Sequence, residues 1–281
     1  MTKKSALAFV IGNPIAHSRS PQIFSYLAKI TKHNLNYYPL QVEKNELDVT
    51  YKFFQRLSVT GMNVTLPYKE SIISYLTKLD PKANAIGAVN VVKFTKQGSI
   101  GFNTDIYGIL ETFKEQKIKI SGAHVVVYGA GGAANAVVYA LGKSKANTVY
   151  IINRTKKKAS HLARKMNSIF NYTKYEARSF SEKIKSDKVS LYINATAIGV
   201  GNKVRKKILP KNVDPNAFVF DVNYLKRGST SFLTEAKKRK LSGVDGKSML
   251  IWQALKTWEI WFGSLPNKKK TKDALMKEVF R

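Results

Sequence analysis

The sequence predicts an α/β protein with two domains. Its 281 residues are enough for two domains of ordinary size. Strand-like and helix-like segments alternate through the first third of the chain, and a second strand–helix series begins near residue 122. Alternation of this kind is typical of mostly parallel sheets that are covered by helices.

The first domain is predicted to occupy residues 1–105. Its strands are expected in ALAFVIG, LNYYPLQV, GMNVT, AVNVVKF and SIGFN, and its helices in PQIFSYLAKITKH, NELDVTYKFFQRL and KESIISYL. A turn around Gln97 and Gly98 joins the last two strands.

The second domain is predicted to occupy residues 106–245. HVVVYGAGGAANAVVYALGKSK has the pattern strand, glycine turn, helix, and NTVYIINR, VSLYINAT and AFVFDVNY predict further strands. The apolar helix IWQALKTWEIWFG then holds all three tryptophans. We expect this last helix to pack back on the first domain, so that residues 246–281 complete it.

The charge is strongly basic, with 48 lysines and arginines against 18 acidic residues and a net charge of +30. Such a charge could indicate a nucleic-acid partner. However, the lysines are spread along the chain, and the densest clusters, Lys156–Lys158 and Lys268–Lys270, lie in no recognised nucleic-acid motif. We therefore expect salt-sensitive binding of polyanions but no specific nucleic-acid partner.

Other classes are excluded by composition. There is no cysteine, so the chain has no disulfide, thiolate nucleophile or cysteine-bound zinc, as is compatible with a cytoplasmic protein. No run of about 18 apolar residues is present, so we expect no transmembrane helix.

A glycine turn predicts a dinucleotide site. Gly129, Ala130, Gly131, Gly132, Ala133 and Ala134 fit G-x-G-x-x-A between a strand and a helix. Glycines permit close approach of the backbone to a pyrophosphate, and the helix N-terminus offers free N–H groups. This is the pattern of a Rossmann-type domain; the alternative is a turn used only for helix–strand packing.

The end of the next strand favours NADP over NAD. It reads Asn153-Arg154-Thr155, without the acidic residue that usually binds the ribose 2′-hydroxyl of NAD. Arg154 can pair with a 2′-phosphate, and Asn153 and Thr155 add hydrogen bonds. The alternative is that Arg154 is one more surface charge.

Polar groups also cluster after the strands of the first domain. In GMNVTLPYKE, the strand carrying Asn63 and Thr65 is ended by Pro67, and Lys69 follows at once. Ser18 and Ser20 follow the first strand and could bind an anion, although Ser20 could also be a helix N-cap.

Three further stretches extend this polar set. Asn90 interrupts an apolar run, Asn103-Thr104-Asp105 ends a strand, and Gln253 lies on the last helix. Taken singly, each polar group has an ordinary explanation, such as a helix N-cap within Asn103-Thr104-Asp105 or a surface lysine at Lys69. Together they predict a pocket for a small polyhydroxylated ligand.

The chain resembles the shikimate dehydrogenases. The motifs NPIAHSRSP, GMNVTLPYKE, AIGAVNVV, GFNTDIYGI, GAGGAANAVVYAL, NRT, NATAIG and DGKSMLIWQA occur in the order and spacing of that family, from about Val10 to Gly263. NVTLPYK and NTD-x-x-G are specific to it, whereas the glycine turn alone is not.

The resemblance implies a cytoplasmic enzyme of chorismate and aromatic amino acid biosynthesis that reduces 3-dehydroshikimate reversibly to shikimate with NADPH, as a monomer or homodimer. It implies that Lys69 and Asp105 are the catalytic pair. Substrate-binding roles are implied for Ser18, Ser20, Thr65, Lys69, Asn90, Asp105, Tyr224 and Gln253. Cofactor-binding roles are implied for Gly129, Ala130, Gly131, Gly132, Ala133, Asn153, Arg154, Thr155, Thr196 and Gly246. No metal is implied.

The chemistry is consistent with these roles, because reduction of a ketone needs a proton donor near the oxygen that gains charge. Two positions depart from the family pattern. Ala197 stands where a serine is common, and Leu225-Lys226 follow Tyr224 where Asn-Pro is common. The alternatives are a quinate/shikimate dehydrogenase that uses NAD, a folate-linked dehydrogenase, and a non-catalytic nucleic-acid binder.

Overall fold

The structure is a computed structural model that describes residues 5–182, 184, 188–199 and 208–281. The chain forms two compact units. Unit 1 comprises Met1–Gly108 and Ile251–Arg281, and unit 2 comprises Ile109–Leu250. The domain boundaries expected at residues 105 and 245 stay a prediction.

Unit 1 contains a six-stranded sheet with the order β2-β1-β3-β5-β6-β4. Its strands are β1 (Ala6–Gly12), β2 (Leu35–Gln41), β3 (Gly61–Val64), β4 (Lys78–Leu79), β5 (Val91–Thr95) and β6 (Gly98–Phe102). β1 runs parallel to β2 and β3, and β4 runs parallel to β6. β5 is antiparallel to both neighbours, so the expected β5–β6 hairpin is confirmed.

The helices of unit 1 cover this sheet. They are α1 (Ser20–Thr31), α2 (Leu47–Arg56), α3 (Pro81–Ile86), and α9 (Lys268–Val279). Two further helices, α4 (Asp105–Glu115) and α8 (Lys247–Phe262), contain the unit boundaries.

One predicted helix takes a different form. KESIISYL forms only a short 3₁₀ helix, Ser71–Tyr75. Two of its serine hydroxyls bond to nearby carbonyl groups, Ser71 Oγ to Tyr68 O at 3.4 Å and Ser74 Oγ to Ser71 O at 2.9 Å. Such side-chain bonds compete with regular helix formation, and the segment is too short to compensate by packing.

The last tryptophan-rich helix packs on the sheet of unit 1, as expected. Trp252, Trp258 and Trp261 are all buried. The indole Nε1 of Trp261 donates to Val92 O at 3.1 Å. A Cβ at Gly61 would lie 2.2 Å from the ring of Trp261, so only glycine leaves room for this contact.

Unit 2 contains a second six-stranded sheet, in which every described strand pair is parallel. Its strands are β7 (His124–Tyr128), β8 (Thr148–Ile152), β9 (Lys174–Arg178), β10 (Val189–Asn194), β11 (Phe218–Asp221) and β12 (Ser242–Val244). Its helices are α5 (Gly132–Lys143), α6 (Lys156–Asn167) and α7 (Ser231–Lys238).

The strand order of unit 2 is β12-β11-β10-β7-β8-β9. Numbered from one within the unit, this is the order 3-2-1-4-5-6 of a Rossmann fold read from the other edge. The order reverses between β7 and β10, where ligands of such sheets bind. The glycine turn follows β7 and therefore lies at this point.

Within the described part of the chain, we find no helix that combines the length and hydropathy needed to cross a bilayer.

Candidate active site

The strand register gathers the predicted polar residues of unit 1 at one edge of its sheet. Ile11 lies opposite Val64, and Val91 lies opposite both Asn63 and Phe102. The ends of β1, β3 and β6 and the start of β5 therefore meet at this edge. Thr65, Lys69, Asn90 and Asp105 all lie just beyond those strand ends.

Lys69 and Asp105 form an ion pair at this edge. Nζ of Lys69 lies 2.6 Å from Oδ2 of Asp105, and their side chains are 17% and 6% exposed. The carbonyl of Lys69 accepts from Val89 N at 2.7 Å, which fixes the loop carrying the lysine. Asp105 begins α4, where the helix dipole favours a carboxylate. The pair can hold a proton at a defined nitrogen.

Asn90 joins the second oxygen of this carboxylate. Its Nδ2 donates to Oδ1 of Asp105 at 2.9 Å, and its Oδ1 accepts from the backbone N of Thr104 at 2.7 Å. Asn103 bonds to the N-terminus of α4 instead, since its Oδ1 accepts from Ile106 N at 3.4 Å. Within this stretch, the capping bond expected as the alternative is therefore made by Asn103, whereas the two oxygens of Asp105 bond to Lys69 and Asn90.

Asn63 holds the backbone of Asn90 in place. Its Nδ2 donates to the carbonyl of Asn90 at 3.2 Å, and its Oδ1 accepts from the phenol of Tyr37 at 2.8 Å. Burial raises the pKa of Tyr37 well above its usual value, so the phenol remains a donor. Tyr37 was not among the predicted site residues, although alternation along LNYYPLQV could have placed it on the inner face.

Ser18 and Ser20 lie where the first strand is followed by α1. Ser20 N donates to Ser18 Oγ at 3.3 Å, and Ser20 is buried. Arg19 occupies the N-cap position of α1, so the alternative explanation of Ser20 as an N-cap is wrong. Thr65 lies beside the end of β1, because a Cβ at Gly12 would come within 2.5 Å of the Thr65 methyl group.

Gln253 comes from α8 and reaches the same polar group. Its Oε1 lies 3.4 Å from Nδ2 of Asn90 and 3.3 Å from Oγ1 of Thr104. Thr257, one turn later, contacts Thr104 through its hydroxyl at 3.2 Å. The sequence indicates Thr104 only as part of the stretch Asn103-Thr104-Asp105. It does not indicate Thr257, because nothing local distinguishes a buried threonine from an ordinary core residue.

The glycine turn of unit 2 has the geometry of a phosphate-binding turn. Gly129 has φ of 118°, and a Cβ there would lie 2.7 Å from the carbonyl of Ala195. At Gly131 a Cβ would meet no atom within 4 Å, so the backbone is open on that side. Gly131 is also the N-cap of α5 and provides no side chain to bond the first N–H groups. These features fit a pyrophosphate.

Asn153, Arg154 and Thr155 follow β8, the strand beside β7. Asn153 Nδ2 donates to Thr155 O at 3.0 Å, which shapes the turn, and Arg154 is exposed. Thr155 is the N-cap of α6. The guanidinium is therefore accessible to an anion.

A buried carboxylate ties together the loops after β10 and β11. Oδ1 of Asp221 accepts from Asn194 Nδ2 at 3.1 Å, and from N and Nδ2 of Asn223 at 3.0 and 2.8 Å. Asn194 Oδ1 accepts from the hydroxyl of Thr196 at 2.7 Å. Asn223 Nδ2 also donates to Thr196 O at 2.7 Å, and Gly246 N donates to Asn223 O at 2.9 Å. Thr196 and Gly246 are thus held in one network.

Comparison with known proteins identifies the family. Residues 10–92 match the shikimate dehydrogenase substrate binding domain, and residues 111–224 match the shikimate / quinate 5-dehydrogenase family. The chain belongs to the shikimate dehydrogenase family. A shikimate dehydrogenase (NADP(+)) from Nitrosopumilus maritimus is 35% identical over 270 residues, which cover 95% of this chain and 97% of the relative.

Solved shikimate dehydrogenases share the fold over nearly the whole chain. The crystal structure from Aquifex aeolicus has a TM-score of 0.86 at 33% identity, covering 98% of this chain and 99% of that one. A shikimate dehydrogenase in complex with NADP+ has a TM-score of 0.87 at 31% identity, covering 100% of this chain and 98% of that one. The predicted α/β fold with a Rossmann-type domain is confirmed.

The two departures from the shikimate dehydrogenase pattern lie in the loops that Asp221 joins. Ala197 is exposed, directly after Thr196. Leu225 and Lys226 follow Tyr224 in the loop after β11. The hydrogen bonds described for the Asp221 network involve the side chains of Asn194, Thr196 and Asn223, and not those of Ala197 or Leu225.

The Asp221 network makes the stability of the protein depend on pH. Burial raises the pKa of Asp221 to about 6, although the hydrogen bonds it accepts act in the opposite direction. In the unfolded chain the pKa returns to about 3.9. The folded state therefore binds the proton more tightly, and stability falls as pH rises from about 4 to about 6.

Asp221→Asn removes this titration and is expected to raise the free energy of unfolding at pH 8 by about 2 kcal/mol, with the gain shrinking toward pH 4. Denaturant unfolding at pH 4.5, 6 and 8 measures it. Asp273→Asn, at a side chain that is 57% exposed, controls for the charge change alone. An Asp221→Asn effect that is the same at all three pH values would contradict the expectation.

Proposed function

We propose that this protein is an NADP-dependent shikimate dehydrogenase that catalyses the reversible reduction of 3-dehydroshikimate to shikimate, a step of chorismate and aromatic amino acid biosynthesis. The observation that carries the proposal is the Lys69–Asp105 pair at 2.6 Å, with Asn90 on the second carboxylate oxygen. A ketone is reduced only if its oxygen receives a proton as charge develops. Lys69 is the group placed to give it.

The residues of unit 1 carry the proton chemistry. The Lys69 ammonium donates its proton to the carbonyl oxygen of 3-dehydroshikimate, and the neutral amine takes the hydroxyl proton of shikimate in the reverse direction. Asp105 keeps Nζ in place through the 2.6 Å contact. Asn90 keeps the carboxylate of Asp105 from rotating, because it bonds Oδ1, the oxygen that Lys69 does not contact. When bound, NADPH supplies the hydride.

The other polar residues at this edge recognise the substrate. Ser18 and Ser20 bind the carboxylate through their hydroxyls. Ring hydroxyls are held by Thr65, Asn90, Asp105 and Gln253. Tyr224 is the further ligand that we propose for the carboxylate. Relatives include proteins named shikimate dehydrogenase, which supports this substrate class.

The loops of unit 2 hold NADP(H). Gly129, Ala130, Gly131, Gly132 and Ala133 receive the pyrophosphate, because the backbone at Gly131 is open and the first turn of α5 offers N–H groups. The adenosine 2′-phosphate is assigned to Asn153, Arg154 and Thr155, and the nicotinamide end to Thr196 and Gly246.

Arg154→Asp is expected to lower the ratio of kcat/KM for NADP to kcat/KM for NAD by about 10- to 100-fold, because it replaces a charge-assisted bond with repulsion. Steady-state kinetics with both cofactors measures the ratio. Lys211→Asp makes the same charge reversal at another exposed residue of unit 2. If both variants change the ratio equally, the effect is one of net charge and Arg154 is not at the 2′-phosphate.

The proposal also covers setting and partners. The enzyme acts in the cytoplasm on small molecules, as a monomer or homodimer, without a sequence-specific nucleic-acid partner. Its charge of +30 produces weak, salt-sensitive binding to polyanions.

The deciding assay follows NADPH absorbance with 3-dehydroshikimate, and repeats it with NADH. The reverse reaction is run with shikimate and with quinate. Turnover confined to NADPH and the shikimate pair supports the proposal. Equal turnover with quinate and NAD would move the protein to the quinate-using members of its family. A folded protein that binds NADP but turns over neither acid would contradict the proposed reaction.

A further inference from the structure

A pair of buried threonine hydroxyls lies behind the substrate-binding residues of unit 1. Thr104 is 2% exposed and Thr257 is 0% exposed. Their Oγ1 atoms are 3.2 Å apart, although the two residues are separated by 153 positions in the chain. Thr257 Oγ1 also lies 2.9 Å from the carbonyl oxygen of Gln253, one turn earlier on α8.

This pair adjoins the side-chain amide of Gln253, whose orientation the surrounding donors determine. Thr104 N can only donate, so the end of Asn90 that meets it at 2.7 Å is the oxygen. The Asn90 nitrogen then faces Oδ1 of Asp105, which can only accept when ionised.

The Asn90 nitrogen and the Thr104 hydroxyl in turn orient Gln253. They lie 3.4 and 3.3 Å from Oε1 of Gln253. If the Gln253 amide were reversed, its NH₂ group would face the NH₂ group of Asn90, and neither could accept a hydrogen bond. The amide oxygen therefore points toward Asn90 and Thr104, and the NH₂ group is the opposite end.

We propose that Thr257 is a positioning residue for substrate recognition, which acts through Thr104 and Gln253. Its hydroxyl donates to Thr104 Oγ1, which leaves the Thr104 proton for Gln253 Oε1, so that Gln253 presents its NH₂ end to the substrate. Gln253 thus binds a substrate oxygen as a donor, and it discriminates against ligands that place an N–H group there. This inference rests on the proposed function.

The test removes the Thr257 hydroxyl and keeps the shape of the side chain. Thr257→Val is expected to raise KM for shikimate about fivefold to tenfold, the worth of one hydrogen bond, with KM for NADP changed less than twofold. Thr257→Ser restores the hydroxyl and is expected to return KM for shikimate to within twofold of the wild type. Thr257→Ala gives the same rise as valine if the valine variant folds poorly, as thermal melting shows.

A double-mutant cycle tests whether the effect passes through Gln253. In a Gln253→Ala background, Thr257→Val is expected to change KM for shikimate less than twofold. Thr173→Val is the matched control, since Thr173 is 2% exposed and its hydroxyl donates to Ala146 O at 2.7 Å in unit 2. It is expected to leave KM for shikimate unchanged.

If the wild-type enzyme turns over shikimate, three results would overturn this inference and leave the proposed function intact. They are an unchanged KM for shikimate in Thr257→Val, an equal rise in the Gln253→Ala background, and an equal rise in Thr173→Val. A wild type without shikimate turnover would instead defeat the proposed function, and the inference with it.

Discussion

Lys69→Met is expected to lower kcat by about 10²- to 10⁴-fold, the usual worth of a positioned proton donor. Methionine keeps most of the stem and removes the ammonium that lies 2.6 Å from Asp105. Binding of NADP should persist, because the proposed cofactor residues lie in unit 2. Stopped assays for turnover and titration of NADP binding measure the two effects separately.

A second lysine–aspartate pair provides the control. Lys52 Nζ lies 2.7 Å from Asp48 Oδ2, but these side chains are 65% and 47% exposed. Lys52→Met is expected to keep full turnover and to change stability by less than about 1 kcal/mol. If Lys52→Met and Lys69→Met lose activity equally, the loss does not come from a specific proton donor.

The buried position of Asp105 adds a stability effect to Lys69→Met. Without the ammonium, a nearly buried carboxylate loses its cation, and such losses cost about 3–5 kcal/mol. The double variant Lys69→Met/Asp105→Asn removes that charge. We expect it to regain stability while remaining inactive, which separates the catalytic role of Lys69 from its structural one.

Trp261→Ala is expected to lower the free energy of unfolding by about 3–5 kcal/mol. The side chain is 6% exposed, fills the space above Gly61 and donates to Val92 O. The loss is a large part of the stability of an ordinary domain, which is about 5–15 kcal/mol. Denaturant unfolding, followed together with shikimate turnover, measures it.

Gly61→Ala, combined with Trp261→Ala, tests whether these two residues contact each other. Alone, it forces a methyl group against the ring of Trp261 and destabilises unit 1. In the Trp261→Ala background the ring is gone and the methyl group fills part of the cavity. We expect the double variant to be more stable than the sum of the two single effects predicts; strict additivity would show that the two residues do not contact each other in solution.

Sequence patterns predicted the residues whose placement depends on short stretches of chain. Lys69 lies five residues after the end of β3, and Asp105 lies three residues after the end of β6, so the strand order alone brings them to one edge. The glycine turn is equally local, because strand, turn and helix are continuous. These are the cases in which a side chain's environment follows from its neighbours in sequence.

The residues that escaped prediction depend on contacts between distant segments. Thr257 looks like a core residue of an apolar helix until α8 is placed beside Thr104. α9 has a lysine-rich first turn, and its inner face includes Leu275 and Val279, which are buried. Burial of this kind is decided by tertiary packing and cannot be read from periodicity in a short polar helix.

The division of unit 1 into two chain segments has a consequence for synthesis. Unit 2 is continuous, from Ile109 to Leu250, whereas unit 1 needs Ile251–Arg281 to complete it. Domains fold as their residues leave the ribosome, so unit 2 can fold while the sheet of unit 1 still lacks α8 and Trp261. For that interval the groove that Trp261 fills is uncovered on the nascent chain.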